Sequence, residues 1–173
     1  MSVTLTTRRL TLRPRAMEDA GRLVRYIGDR EVSRMLSTVP HPYTTGDAED
    51  WLSGRIEEAG SFVFVIDRGE GLEGVVSLMG SAPASREFGF WLGRPFWGQG
   101  IMSEATRAVL DWGFRDAGIA RVDSGAYLDN PGSRRIHALL GFAETGRGLQ
   151  YSKARGGETD HVDFTLTRED WLR

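Results

Sequence analysis

One stretch constrains this chain more than any other: Arg94-Pro-Phe-Trp-Gly-Gln-Gly-Ile-Met-Ser-Glu-Ala105. The apolar run Phe88 to Leu92 ahead of it reads as a strand. Behind it, Ile101, Ala105, Ala108 and Trp112 share one face of a helix. Between them, Gly98 and Gly100 allow backbone conformations that a Cβ disfavours and let the chain approach a bulky ligand. Consecutive N–H groups in such a turn, backed by a helix N-terminus, form an anion site suited to phosphate. The alternative is a tight turn with no ligand. Either way, the fold must seat a strand directly before a helix.

The rest of the chain fits a mixed α/β (α+β) order. Arg9 to Pro14 alternates like a strand, and Glu18 to Ile27 places Ala20, Leu23, Val24 and Ile27 on one helical face. A loop from Pro40 to Gly46 leads to a helix from Ala48 to about Glu58, with Thr45 and Asp47 as candidate N-caps. Ser61 to Ile66 and Glu73 to Met79 read as a hairpin closed by Asp67-Arg-Gly-Glu-Gly71, and Glu87 to Leu92 as the next strand. After the glycine turn, Gly118 ends the helix. A strand from Arg121 to Leu128, a helix from Ser133 to Leu140, and strands Phe142 to Lys153 and His161 to Thr167 complete the order. There are no repeats and no linker, and 173 residues suit one domain, residues 1–173, with a real core.

Composition removes several functions. A net charge of −2 argues against nonspecific nucleic-acid binding. The absence of cysteine excludes a thiol nucleophile, disulfides and any Cys-based zinc site. His41, His137 and His161 are too far apart for helical metal spacing, so no metal is expected. No apolar run approaches the roughly 20 residues of a membrane span. Met1-Ser-Val-Thr lacks the features of a signal peptide, so the expected location is cytoplasmic. A dinucleotide fingerprint would need a third glycine where Ser103 stands, and no Gly-Lys-Ser/Thr of a P-loop is present.

A second segment, Asn130-Pro-Gly-Ser133 followed by Leu139-Leu-Gly-Phe142, lies one helix and one strand downstream of the turn. With it, the chain resembles the GNAT superfamily of acyl-CoA-dependent N-acyltransferases, and more closely its RimJ/RimL-like group of ribosomal-protein N-terminal acetyltransferases. The resemblance runs from Leu5-Thr-Thr-Arg-Arg-Leu-Thr-Leu-Arg-Pro14 through Glu87-Phe-Gly-Phe-Trp-Leu92 to Leu166-Thr-Arg-Glu-Asp-Trp171. It implies a mostly antiparallel sheet of six to seven strands, splayed at a cofactor cleft and flanked by about four helices. The implied cofactor is acetyl-CoA, with its pyrophosphate on Trp97, Gly98, Gln99, Gly100, Ile101, Met102 and Ser103. Its pantetheine would lie along Phe90, Trp91 and Leu92, with an N–H of Trp91 or Leu92 near the thioester carbonyl. Asn130 is implied to hold the pantetheine or acyl region, and Ser133 to protonate the departing thiolate. The family's alanine or glycine at the last motif position is Met102 here, a bulkier side chain that would narrow the turn. A homodimer is a family-level expectation.

The chemistry frames what else to seek. Acyl transfer needs a neutral amine, a polarised carbonyl and a route for thiolate to leave; with no cysteine, direct attack is expected. An α-amine has a pKa of roughly 7.7–8.0 and lysine roughly 10.4, a gap worth about 3.5 kcal/mol. An N-terminal amine therefore needs little base, and a lysine or polyamine needs a committed one. Glu87 is the candidate base, the alternative being a strand-end glutamate in solvent. Glu104 reads as helix-dipole stabilisation, and His137, flanked by Arg134 and Arg135, as part of a solvated face. Arg134 and Arg135 are either coenzyme A phosphate ligands or solvated. His41, Tyr43 and Trp51 are candidates for the acceptor pocket, Tyr43 and Trp51 against the alternative of core packing. The expected acceptor is a peptide or protein N-terminus or a small amine. The competing functions are an acyl-CoA sensor without turnover and a site for another diphosphate nucleotide.

Overall fold

The computed structural model describes residues 3–54, 59–81 and 84–173. Eight strands form one sheet: β1 (Leu5–Thr6), β2 (Thr11–Arg13), β3 (Phe62–Asp67), β4 (Leu72–Met79), β5 (Ser85–Leu92), β6 (Arg121–Tyr127), β7 (Ala143–Ser152) and β8 (Gly157–Thr167). Their spatial order is β1-β2-β3-β4-β5-β6-β8-β7, and every pair is antiparallel except β5 with β6. Six α-helices accompany them: α1 (Ala20–Ile27), α2 (Arg30–Ser33), α3 (Thr45–Leu52), α4 (Ile101–Arg115), α5 (Pro131–Leu140) and α6 (Arg168–Leu172). The strand and helix counts exceed the six to seven and about four expected. The N-terminal segment is a hairpin of two short strands, and α2 and α6 are too short to show a periodic apolar stripe.

Alternation along the strands gives the sheet two apolar faces. On one, Phe64, Ile66, Val76, Leu78, Phe88 and Leu92 pack with Ile101, Ala105 and Val109 of α4 and Leu140 of α5. On the other, Val65 and Val75 pack with Leu23, Tyr26 and Ile27 of α1 and Ala48 of α3. Trp112 of α4 meets Phe62 and Phe64 edge-on, with ring centroids at 4.8 and 5.5 Å. The cap of α3 is Thr44, which accepts from the Asp47 N–H while the Asp47 carboxylate accepts from the Thr44 N–H. Thr45 is thus the first helical residue and Asp47 closes the box; neither is the N-cap expected of it. The expected end of that helix near Glu58 lies outside the described residues.

The parallel β5–β6 pair covers only Ser85, Arg86 and Glu87 opposite Arg121, Val122 and Asp123. Beyond that point β5 stays with β4 as far as Leu92, and β6 stays with β8 as far as Tyr127. The sheet therefore forks, each limb held by its outer neighbour. The Ser124 hydroxyl, on the first residue past the fork, lies 2.7 Å from the Phe88 carbonyl across it.

Candidate active site

The fork exposes one backbone edge of β5, and register says which groups lie on it. The Gly93 N–H donates to Glu73 O at 2.8 Å, which makes that opposed pair a hydrogen-bonded one. Alternation then assigns Trp91, Gly89 and Glu87 to β4, and turns the N–H and C=O of Phe88, Phe90 and Leu92 toward the fork. Of the two N–H groups expected near a thioester, that of Leu92 faces the cleft and that of Trp91 is committed to β4. The Leu92 carbonyl accepts from the Trp97 indole N–H at 2.7 Å. The Phe90 backbone is left as an unpaired donor and acceptor on a strand edge.

That edge leads to the glycine turn. Gly98 and Gly100 have φ of 72° and 73°, which few other residues adopt without strain. A Cβ at Gly98 would meet nothing within 4 Å, so the space beside the turn is open there. Gly100 is the N-cap of α4 and offers no side chain to it, and the first helical bond is Glu104 N–H to Gly100 O. The N–H groups of Ile101, Met102 and Ser103 therefore stand uncapped at the positive end of a 15-residue helix. The Arg9 guanidinium braces the turn from behind, donating to Gln99 O at 2.9 Å and to the Glu104 carboxylate at 2.6 Å. Glu104 also accepts from the Thr7 hydroxyl at 2.6 Å. Burial raises its carboxyl, and the Thr7 and Arg9 bonds outweigh that, holding it below the ordinary range. Met102, expected to narrow the turn, packs its side chain in the core beneath α4.

A cleft of about 1390 Å³ joins these elements. It is lined by Phe90, Trp91, Leu92, Trp97, Gly98, Gly100, Ile101, Met102 and Ser103 on one limb and by Asn130 and Ser133 across the fork. Asn130 caps α5, its side-chain oxygen accepting from Ser133 N–H at 3.1 Å, which leaves its amide NH2 for other partners. The Ser133 hydroxyl has no recorded partner among the described residues. Arg135 also lines the cleft, while Arg134 donates to Leu128 O.

On the α2 side of the fork the lining carries Glu31, Glu87, Asp123, Asp129 and Asp163, with Arg34 paired to Glu31 and Asp129, Arg155 to Asp129 and Arg121 to Asp123. Burial raises the Asp123 carboxyl, but bonds from Thr165, Ser85 and Arg121 outweigh it and keep it ionised. Glu87 is exposed at the base of the fork, and its side chain has no ion-pair or hydrogen-bond partner among the described residues.

Several expected residues fall elsewhere. His41 is exposed in its loop, near Ser33 Oγ at 3.4 Å, and Tyr43 and Trp51 pack into the α1–α3 cluster; none of the three lines the cleft. Burial pushes the Tyr43 phenol up to about 12. The α2 side of the cleft is lined instead by Glu31, Arg34 and Met35 of α2 and the turn after it, and by Gln150 and His161 of the β7–β8 hairpin. His137 is corrected outright: it is fully buried, stacked on Phe164 at 4.3 Å between ring centroids. Its Nδ1 lies 2.8 Å from Ser133 O, which can only accept, so Nδ1 carries the proton. Nε2, at 2.8 Å from Ser124 Oγ, then competes with the Phe88 carbonyl for one hydroxyl proton. His137 thus pins the fork from beneath.

Among the described residues, no group of His, Asp and Glu could hold a metal, and no helix is long and apolar enough to cross a membrane.

Residues 9–143 match the family described as the acetyltransferase (GNAT) domain. The chain is 28% identical over 175 residues to the uncharacterized N-acetyltransferase p20 of Bacillus licheniformis, covering 97% of this chain and 98% of that relative. Its fold is that of RimJ from Mycobacterium smegmatis in complex with CoA-disulfide, with a TM-score of 0.82, 22% identity, and 99% and 89% of the two chains covered. Spermidine N-acetyltransferase of Vibrio cholerae, in complex with CoA and spermine, superposes with a TM-score of 0.83 at 19% identity over 96% and 100% of the chains. The forked sheet, the uncapped glycine turn and the family match agree: the chain belongs to the GNAT family of acetyl-CoA-dependent N-acetyltransferases.

Proposed function

We propose that this enzyme moves the acetyl group to a primary amine by direct attack, the acceptor being a peptide or protein N-terminus or a small amine. The observation that carries the reading is continuity: the unpaired edge of β5 at Phe90 and Leu92 runs into the uncapped N–H groups of Ile101, Met102 and Ser103. When bound, acetyl-CoA supplies an electrophilic thioester carbonyl. In this reading the pyrophosphate is held by Gly98 to Ser103, the pantetheine amides by the Phe90 backbone, and the far side of the arm by the Asn130 amide. The Leu92 N–H is the preorganised donor for charge developing on the carbonyl oxygen.

Glu87, the carboxylate of this side with no ion-pair partner among the described residues, receives a cationic amine at the fork. Ser133, across the cleft, returns a proton to the thiolate. Because a thiolate leaves with a pKa near 8.5, this help is modest.

Acetyl-CoA turnover on a panel of N-terminal peptides, lysine peptides, polyamines and aminoglycosides tests the proposal. It expects turnover of at least one amine class without a lag or burst of acetyl-enzyme. Tight acetyl-CoA binding with no turnover on any amine would replace it with a sensor.

A further inference from the structure

We propose that His161, oriented by Asp163, takes the proton from the attacking amine. The inference rests on the acetyltransferase reading above and adds a residue to it. His161 and Asp163 alternate on β8, so both project from the face opposite Phe164 and Val162, toward the α2 side of the cleft that they help to line. The His161 Nδ1 lies 3.2 Å from Asp163 Oδ1. A carboxylate cannot donate, so in the neutral ring Asp163 favours the tautomer with the proton on Nδ1, which leaves the lone pair on Nε2.

Gly125 determines where that lone pair lies. It stands on β6 opposite Asp163, past the fork, where β6 has lost β5 as a partner. The imidazole lies across it: a Cβ there would collide with His161 Cε1 and lie 2.6 Å from Nε2. Any larger residue would push the ring off the fork. Tyr127 meets the ring edge-on at 5.6 Å between centroids and limits its rotation. Glu87 faces the same cleft from the other limb.

The step balances. An acceptor that arrives as an ammonium first gives one proton to Nε2, which passes it to solvent; the neutral nitrogen then bonds to the thioester carbon and its second proton passes to Nε2. The C–S bond breaks, and the thiolate leaves with its electron pair and takes a proton from Ser133. Asp163 stabilises the imidazolium, which later returns its proton to solvent; Ser133 is reprotonated from solvent.

The test compares His161→Gln and Asp163→Asn with the wild type. The Asp163 side chain is 61% exposed, so that variant should fold in any case. With a strongly basic primary amine, His161→Gln should lower kcat about 100-fold or more and Asp163→Asn about tenfold, with acetyl-CoA affinity by calorimetry unchanged. With an aromatic amine that is already neutral at pH 7, the His161→Gln loss should shrink several-fold. A kcat within threefold of wild type in both variants, or the same loss on both acceptors, would overturn the assignment. A wild type inert on every amine would overturn the acetyltransferase reading as well, and so the two failures are separable.

Discussion

His137 sits where a histidine is most costly to protonate. Burial lowers its pKa to about 4, although Ser133 O favours the charged ring. An unfolded histidine titrates near 6.5 (about that value). Between those values the unfolded chain binds more protons, so stability is full above about pH 6.5 and falls as pH drops, levelling off below about 4. The shift corresponds to about 3 kcal/mol. Thermal unfolding from pH 7.5 to 4 should show a falling Tm, and His137→Phe, packed among Phe90, Phe142 and Phe164, should remove part of that slope. An unchanged slope would place the acid sensitivity elsewhere. For Ser133→Ala we expect kcat to fall about tenfold or less, with little change in acetyl-CoA affinity. An unaltered kcat would remove its acid role.

At the scale of elements, the proposed function has the β5–α4 junction and the start of α5 hold the cofactor together. Gly100→Trp puts a side chain at φ +73° and into the turn, so acetyl-CoA should bind at least tenfold more weakly, about 1.4 kcal/mol. Asn130→Ala removes the α5 cap, which costs about 1 kcal/mol of stability, and should also weaken acetyl-CoA binding by calorimetry. Unchanged affinity in both would sink the assignment of the turn. The opposite wall depends on Arg155, which donates to Asp129 at 2.8 and 2.9 Å and to Arg34 O at 2.7 Å. It ties the β7–β8 tip to α2 and to the loop before α5. Arg155→Ala should therefore raise the acceptor KM more than the acetyl-CoA KM in steady-state kinetics.

Across the whole molecule, what was legible in the sequence is what is locally determined. Glycines at positive φ, caps and apolar periodicity mark the strand, turn and helix from Glu87 to Trp112, and Asn130-x-x-Ser133 marks the next helix start. What was not legible depends on pairing between distant segments. His161 gains its place only because β8 lies against β6 and Gly125 leaves room for the ring. His137 reads as solvated beside Arg134 and Arg135, yet Ile136, His137 and Leu140 turn toward the core; that spacing was the available signal. His41 and Tyr43 lie in the loop before α3 and Trp51 within α3, but α2, the turn after it and the β7–β8 hairpin line the cleft in their place. The central claim is that the cofactor lies along the free edge of β5 and ends on α4. Residue-resolved amide hydrogen exchange, with and without coenzyme A, tests it most directly. The account predicts new protection at Phe90, Leu92, Ile101, Met102 and Ser103, with Gly89 and Trp91 unchanged because β4 already holds them. Protection that spares Phe90 and the α4 amides, or none at all under saturating coenzyme A, would contradict it.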